Sequence, residues 1–341
     1  MRILVIGEWR FEIYEEAISN AFSSLGHEVH GFSWKEYFDT PSPGSVLNRF
    51  QNKYLFGPLI QRINWDLVRE ATRLKPDLIF LFRGTHITAH ALREIKRRLP
   101  KALFVGYNND DPFSPKTPSY LWRHFIASVP LLDITLAYRH HNIPQYKRLG
   151  ARRVNLFRSW YIPANVPAAK QTEEWDVSFI GHYEPDGRLE LLEKIVRNGF
   201  RLQLMGTGWD RVIARSRELA PLAPVRPVRG TAYYEALGRS KISLCFLSKI
   251  NRDTYTRRCF EIPAVKKMML AEYSSDLASL YQEQIEAEFF RNEDELIQKL
   301  TYYIQNDDAR SRIAYAGHQR VIQDGHDVVS RVRQLFEFIQ A

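Results

Sequence analysis

Short, unbroken apolar runs recur along this 341-residue chain, and most are separated by stretches of helical character. Arg2-Ile-Leu-Val-Ile6 is the first. Asp77–Phe82, Ala102–Gly106, Asp133–Tyr138 and Arg153–Phe157 follow, with helix-like segments such as Ala89 to Leu99 between them. Strands that are apolar throughout, rather than on alternate residues, are buried on both faces. That is the condition of a parallel sheet covered by helices. After the first run comes a turn at Gly7-Glu8-Trp9, then a helix that is expected to stop at Gly26.

The alternation breaks once. Residues 161 to 174 hold two prolines and little periodicity, and read as an interdomain linker. It then restarts with Asp176–Ile180, a helix to about Asn198, Phe200–Met205, Ile242–Phe246 and Met268–Ala271, and residues 293 to 338 read as helical. The expectation is therefore two α/β units, 1–165 and 170–325, with a terminal helix over 326–341. A length of about 150 residues per domain agrees. In parallel α/β sheets, ligands bind outside the carboxyl ends of the strands. Two such units facing each other make a central cleft, so the strand-end loops are where function is sought.

Composition narrows the class. Aromatic residues at 13 % supply ample core material, which excludes disorder. Mean hydropathy is −0.36 and no stretch approaches ~18 consecutive apolar residues, which excludes a membrane-spanning chain. The Ile3–Ile6 run is too short for a signal peptide. Two cysteines, Cys245 and Cys259, exclude a disulfide scaffold and a Cys-rich zinc site. With no Asn-x-Ser/Thr sequon either, a cytoplasmic location is expected. The net charge of +9 is unevenly spread: the first 170 residues carry 24 basic against 14 acidic side chains, the rest 24 against 25. Such a basic half suits a polyanion, an anionic membrane surface or a phosphorylated ligand, or serves solubility alone.

Four strand-end segments in the second half carry chemistry. Gly181-His182-Tyr-Glu-Pro-Asp-Gly-Arg188 combines glycines, which allow close backbone approach, with an arginine able to pair phosphate oxygens; an ordinary turn with a surface arginine reads equally well. Gly206-Thr-Gly208-Trp209 resembles the start of a dinucleotide fingerprint but has Arg211 in place of the third glycine. Trp209 suits base stacking or packing. Tyr233, near the start of a helix, is a candidate to line a nucleotide pocket. The fourth segment, Asn251-Arg-Asp253-Thr-Tyr255-Thr-Arg257-Arg258-Cys-Phe-Glu261-Ile-Pro-Ala264, places a carboxylate suited to ribose hydroxyls near an arginine suited to a diphosphate.

The run from Asn251 to Ala264, followed by Met268-Met-Leu-Ala-Glu-Tyr273 and by Ile313-Ala-Tyr-Ala-Gly317-His-Gln-Arg-Val321, resembles the CgeB-like group of GT-B glycosyltransferases, whose C-terminal domain is of the "glycosyl transferases group 1" type. The resemblance is close over residues 175 to 335 and looser before. It implies a GT-B fold of two Rossmann-like domains, a nucleoside-diphosphate sugar as donor substrate in the C-terminal domain, no cofactor and no metal. It places Asp253 and Glu261 at the two ends of a motif that elsewhere reads E-x7-E, with Asp253 departing from the first Glu. Glu261 would bind the ribose and Arg258 with Arg188 the diphosphate. Gly181, His182, Gly206, Gly208, Trp209, Tyr233, Asn251 and Tyr255 complete the expected donor site.

The N-terminal half is expected to hold a saccharide or lipid-linked acceptor. Gly106-Tyr-Asn108-Asn109-Asp110-Asp111-Pro-Phe113 follows an apolar strand; Asp110 or Asp111 suits a catalytic base, and turn chemistry explains the same residues equally well. With Asp253 these are the expected catalytic carboxylates. Arg83, Arg139 and His140 follow other strands and are expected to join Asn108 and Asn109 on the acceptor. Asn48 to Val68 mixes aromatic and basic residues, suited to an anionic membrane surface or to packing on its own domain.

Other chemistries fail on their residues. His86-Ile-Thr-Ala-His90 has Ile87 where a zinc hydrolase needs glutamate, and there is neither a GxSxG elbow nor a Walker A loop. No nucleic-acid module is recognised, so nucleic acid is not an expected partner. The other readings are a protein that binds a nucleotide-sugar without turning it over, and a nicotinamide enzyme built on Gly206; the latter is disfavoured by the missing glycine.

Overall fold

The computed structural model describes residues 1–39 and 45–341. The chain divides into two compact units, one of Met1–Arg158 with Val328–Ala341, the other Ser159–Asp327. The segment read as a linker belongs to the second unit. Its backbone is tied there: Tyr161 N–H donates to the His326 carbonyl at 3.0 Å and Ile162 N–H to the Tyr234 hydroxyl at 2.9 Å.

In the first unit, β1 (Arg2–Gly7), β2 (Glu28–Ser33), β3 (Leu78–Phe82), β4 (Leu103–Asn108), β5 (Ile134–Ala137) and β6 (Val154–Leu156) form one parallel sheet in the order β2-β1-β3-β4-β5-β6. All of Leu78–Phe82 is buried, as the uninterrupted apolar run requires of a central strand between helical layers. The strand order reverses between β1 and β3, so the loops after those strands flank the switch point where such sheets bind ligands. The last helix, Val328–Gln340, packs on the helix Ala17–Ser24, with the Phe336 ring 5.9 Å from Phe22. The second unit holds β7 (Trp175–Ile180), β8 (Leu202–Met205), β9 (Ser240–Cys245), β10 (Met268–Glu272) and β11 (Glu288–Phe290), all parallel, in the order β11-β10-β9-β7-β8. Its switch point lies between β7 and β9.

The turn after β1 departs from the simple helix expected there. Residues Glu12–Glu16 form one π-helical turn that swings Glu15 under the strand end, where its carboxylate accepts the Glu8 N–H at 2.8 Å. A Cβ on Gly7 would lie 2.2 Å from that carboxylate, so the close approach depends on glycine. Burial raises the Glu15 pKa against the opposing pull of those backbone N–H groups.

Candidate functional site

The loops after β7 and β8 meet backbone to backbone beside the switch point of the second unit, and Tyr183 N–H donates across them to the Thr207 carbonyl at 2.9 Å. Gly206 adopts φ +142°, and a Cβ there would sit 1.9 Å from the Gly181 carbonyl oxygen, so only glycine lets the loops after β7 and β8 meet. Trp209 fixes the same carbonyl, its indole N–H donating to Gly181 O at 2.8 Å. Trp209 is 1 % exposed and packs edge-on against Phe179 and Tyr183. Of its two readings the structure selects packing.

Arg258 opens the helix Arg258–Ala264, and its guanidinium reaches the carboxyl end of β7. Nη1 lies 3.5 Å from the Ile180 carbonyl oxygen, and the group sits over the Phe179 ring, 5.5 Å from its centre. Its Nε–H is buried and donates to no group among the described residues. This is a cation beside a glycine-lined strand end with hydrogen-bond capacity unspent.

Arg188 differs. Expected to face a diphosphate, it is 2 % exposed and spends its donors inside its own loop: Nε and Nη2 grip the two oxygens of Asp186 at 2.7 and 2.6 Å, and Nη1 donates to the His182 carbonyl at 2.8 Å. Its place is to shape the loop. The carboxylate of Glu184, not singled out from sequence, joins the same network through His182 (2.8 Å), Ser248 (2.9 Å) and Arg188 (3.7 Å). Burial works to raise its pKa, but these partners together hold it down at about 2. The His182 ring is otherwise open to solvent.

Glu261 lies one turn along from Arg258 and is 1 % exposed. Its Oε2 accepts the Tyr233 hydroxyl at 2.7 Å, and its Oε1 meets Arg257 Nε at 2.7 Å and the Tyr234 hydroxyl at 3.4 Å. Burial and the adjacent carboxylate push the Tyr233 hydroxyl well above its ordinary pKa, so it stays a donor. Arg257 and Tyr234 were not singled out from sequence, although each sits beside a residue that was. Asn251 and Asp253 lie in the loop after β9, where Asn251 N–H donates to Ser248 Oγ (3.1 Å) and Asp253 N–H to Ser248 O (2.8 Å). Tyr255, expected to touch the nucleotide, is fully buried, and its hydroxyl accepts the Ser159 N–H at 3.0 Å. Gly208 follows Gly206 in the same turn with φ +82°.

The first unit gathers its own strand-end cluster. Arg83 has φ +60°, a left-handed conformation that costs a non-glycine residue about 1–2 kcal/mol. It is held there by Arg83 N–H to Tyr107 O (2.7 Å) and by Nη2 on Asp110 at 2.8 Å, with Glu8 at 3.5 Å. Asp110 remains partly exposed, as a group meeting a substrate must. Asp111, expected as a second catalytic carboxylate, is fully buried. Its Oδ1 accepts Phe113 N–H and Asn142 Nδ2–H, both at 3.0 Å, which is turn chemistry. Asn108 is likewise buried and caps Asp110 N–H at 3.1 Å. Arg139 is 1 % exposed and donates to the Asn109 carbonyl at 3.1 Å, so it positions the loop from beneath. His140 is exposed and meets Arg158 at 3.3 Å. Glu8, missed in the sequence, follows β1 directly. His86 is a satisfied core histidine, bonded to Thr85 and Asn52 and held by burial at a pKa of about 3.

Residues 188–337 match the family model described as Glycosyl transferase-like. Solved structures match over the whole chain. The Anabaena protein Alr3699/HepE in complex with UDP-glucose is 13 % identical, with 100 % of this chain and 99 % of that chain covered and a TM-score of 0.69. Sucrose-phosphate synthase from Thermosynechococcus elongatus is 11 % identical over 99 % of each chain, TM-score 0.69. A glycosyltransferase from Rickettsia africae is 15 % identical over 99 % of this chain and 97 % of that one, TM-score 0.67. The fold is GT-B. Comparison with curated protein sequences returns no match. Among the described residues, no helix of this GT-B chain is long and apolar enough to cross a membrane.

Proposed function

We propose that this chain is a glycosyltransferase that moves a sugar from a nucleoside diphosphate to an acceptor, with the donor in the second unit and the acceptor in the first. The observation that carries the reading is Arg258: a half-buried guanidinium at the carboxyl end of β7, beside the Gly181–Gly206 contact, whose buried Nε–H is unspent. As the glycosidic bond breaks, negative charge grows on the leaving diphosphate, and a preorganised cation in a water-poor site stabilises it. In this reading Arg258 does the work a metal does elsewhere, so the reaction is metal-independent. The GT-B fold and the family match over residues 188–337 support the class, and the likeness of Asn251–Ala264 to CgeB-like enzymes supports the subgroup. Asp110, partly exposed and held by Arg83, is the candidate base.

The test is a melting-temperature panel with UDP, GDP, ADP, CMP, dTDP and NAD. A ligand at 100 times its Kd adds about 2.7 kcal/mol of stability. One nucleoside diphosphate should stabilise the wild type and not Arg258→Ala, and its sugar should be transferred equally well with a chelator present. Stabilisation by none, or by NAD alone, refutes the donor site. Binding with neither transfer nor donor hydrolysis makes the chain a nucleotide-sugar capture protein.

The acceptor end of this reading is a lipid-linked or anionic saccharide met at the cytoplasmic face of a membrane. Val46, Leu47, Phe50, Phe56 and Trp65 all stand exposed on the helices Ser45–Tyr54 and Pro58–Leu74 and the turn between them. Basic side chains lie among them; Lys53 stacks on Tyr54 and Arg69 on Trp65. Apolar insertion flanked by cations suits an anionic bilayer. The chain should sediment with phosphatidylglycerol vesicles and not with phosphatidylcholine ones, and release as salt is raised from 0.1 to 1 M, where the screening length falls from about 10 to 3 Å. Salt-independent sedimentation contradicts this.

A further inference from the structure

The second unit has a cavity of about 660 Å³ on the edge of its sheet where β7, β9 and β10 begin, opposite the strand-end loops. Its walls are Val166–Gln171, the ends of the helices Gly230–Gly238 and Arg258–Ala264, and one face of the helix Asp307–Gln323. Five cations line it: Lys170, Lys241, Lys266, Lys267 and Arg310. One carboxylate, Glu173, lines it with them.

Neutralisation within the protein is incomplete. Glu173 is shared, with Lys267 Nζ at 2.6 Å and Arg310 Nη2 at 3.7 Å. Arg310 also reaches Asp307 at 2.7 Å, and Lys241 stands 4.0 Å from Asp176. Lys170 and Lys266 make no ion pair among the described residues. Two helix C-termini point at the cavity, and their partial negative charge accounts for one or two of these cations but not for five. Lys267 and Arg310 are each only 5 % exposed. Burial pulls the Lys267 ammonium below its ordinary range, and Lys170 and Arg310 add to the pull. An arriving anion would lower the energy of every one of these groups. Val166, Pro167, Ala168, Val265 and Met268 line the cavity with them and supply apolar surface.

We propose that this cavity is a second ligand site, built for a phosphorylated small molecule with an apolar or ring-shaped body. A phosphate monoester brings close to two negative charges and three strong acceptor oxygens, which several ammonium groups can share. The volume falls within the ~300–1,000 Å³ of small-molecule sites. The site adjoins the donor machinery from behind: Tyr234 lines the cavity and its hydroxyl lies 3.4 Å from Glu261, and Ala264 and Val265 end the helix that Arg258 begins.

Titration calorimetry with phenyl phosphate tests it, with phenyl glucoside as the uncharged control. Wild type and Arg258→Ala should bind phenyl phosphate with the same Kd. Binding should weaken at least tenfold in Lys170→Ala/Lys266→Asn, asparagine being chosen because residue 266 has φ +56°. Lys241→Ala should weaken it independently, and the glucoside should not bind. Absence of millimolar binding overturns the site. So does binding that survives the lysine variants, or that is lost in Arg258→Ala, which would place the phosphate at the donor loops.

Discussion

Replacing Arg258 by alanine is expected to lower kcat for the nucleoside-diphosphate sugar by 10²–10³-fold, while the protein melts close to the wild type. The magnitude is that of removing one preorganised donor from a developing oxyanion, about 2.7–4 kcal/mol. The structural cost should be small, because the Arg258 side chain makes one long contact to a carbonyl and a ring contact to Phe179. Arg258→Lys should recover part of the loss: it restores the charge but not the planar fork that engages two phosphate oxygens together. Arg188→Ala should behave in the opposite sense, with its loss appearing first in loop order and stability, since Asp186 already holds its donors. Steady-state rates and melting curves on the three variants separate these roles. An Arg258→Ala enzyme with unchanged kcat would remove the assignment.

Glu261→Ala is expected to destabilise the second unit by roughly 3–5 kcal/mol, the cost of breaking a buried ion pair from one side. It removes one ion-pair partner of Arg257 and the acceptor of Tyr233 at a carboxylate that is 1 % exposed. Glu261→Gln should cost less because an amide oxygen still accepts from Tyr233. Glu261→Ala with Arg257→Ala should cost less than the two changes summed, since both remove the same ion pair. Urea unfolding of each variant measures this. A loss below about 1 kcal/mol would show that the carboxylate is not integral to the unit and is free for a ligand alone. Both Glu261 oxygens are engaged by Tyr233, Tyr234 and Arg257, so a change there acts first on folding, and Arg258 is the sharper probe of the proposed donor site.

The central strands were legible because burial on both faces leaves an unbroken apolar run, as in Leu78–Phe82. β2 was not, because as the outermost strand it keeps Glu28, His30 and Gly31 at least partly in solvent; β11 is only Glu288–Phe290. At the site, residue type and position after a strand pointed to Arg258, Glu261, Arg83 and Asp110. Orientation was not readable. Asp110 and Asp111 are neighbours, yet one meets Arg83 at the surface while the other turns inward to Asn142, a partner no local spacing reveals. Arg188 had a visible warning in Asp186, two residues before it. Charge arithmetic concealed the cationic cavity: residues 171–341 are nearly neutral in sum, and Lys170, Lys241, the adjacent Lys266 and Lys267, and Arg310 are brought together only by folding.

The helix Val328–Gln340 returns the chain to the unit it left at Arg158. During synthesis the first unit therefore emerges with the Ala17–Ser24 helix lacking its partner. It waits through the whole of Ser159–Asp327 before Phe336 can close over Phe22 and His27. The second unit, one uninterrupted stretch of chain, can complete itself first, which reverses the usual N-terminal-first order. Until Phe336 is delivered, the first half of the nascent chain shows an apolar seam to chaperones.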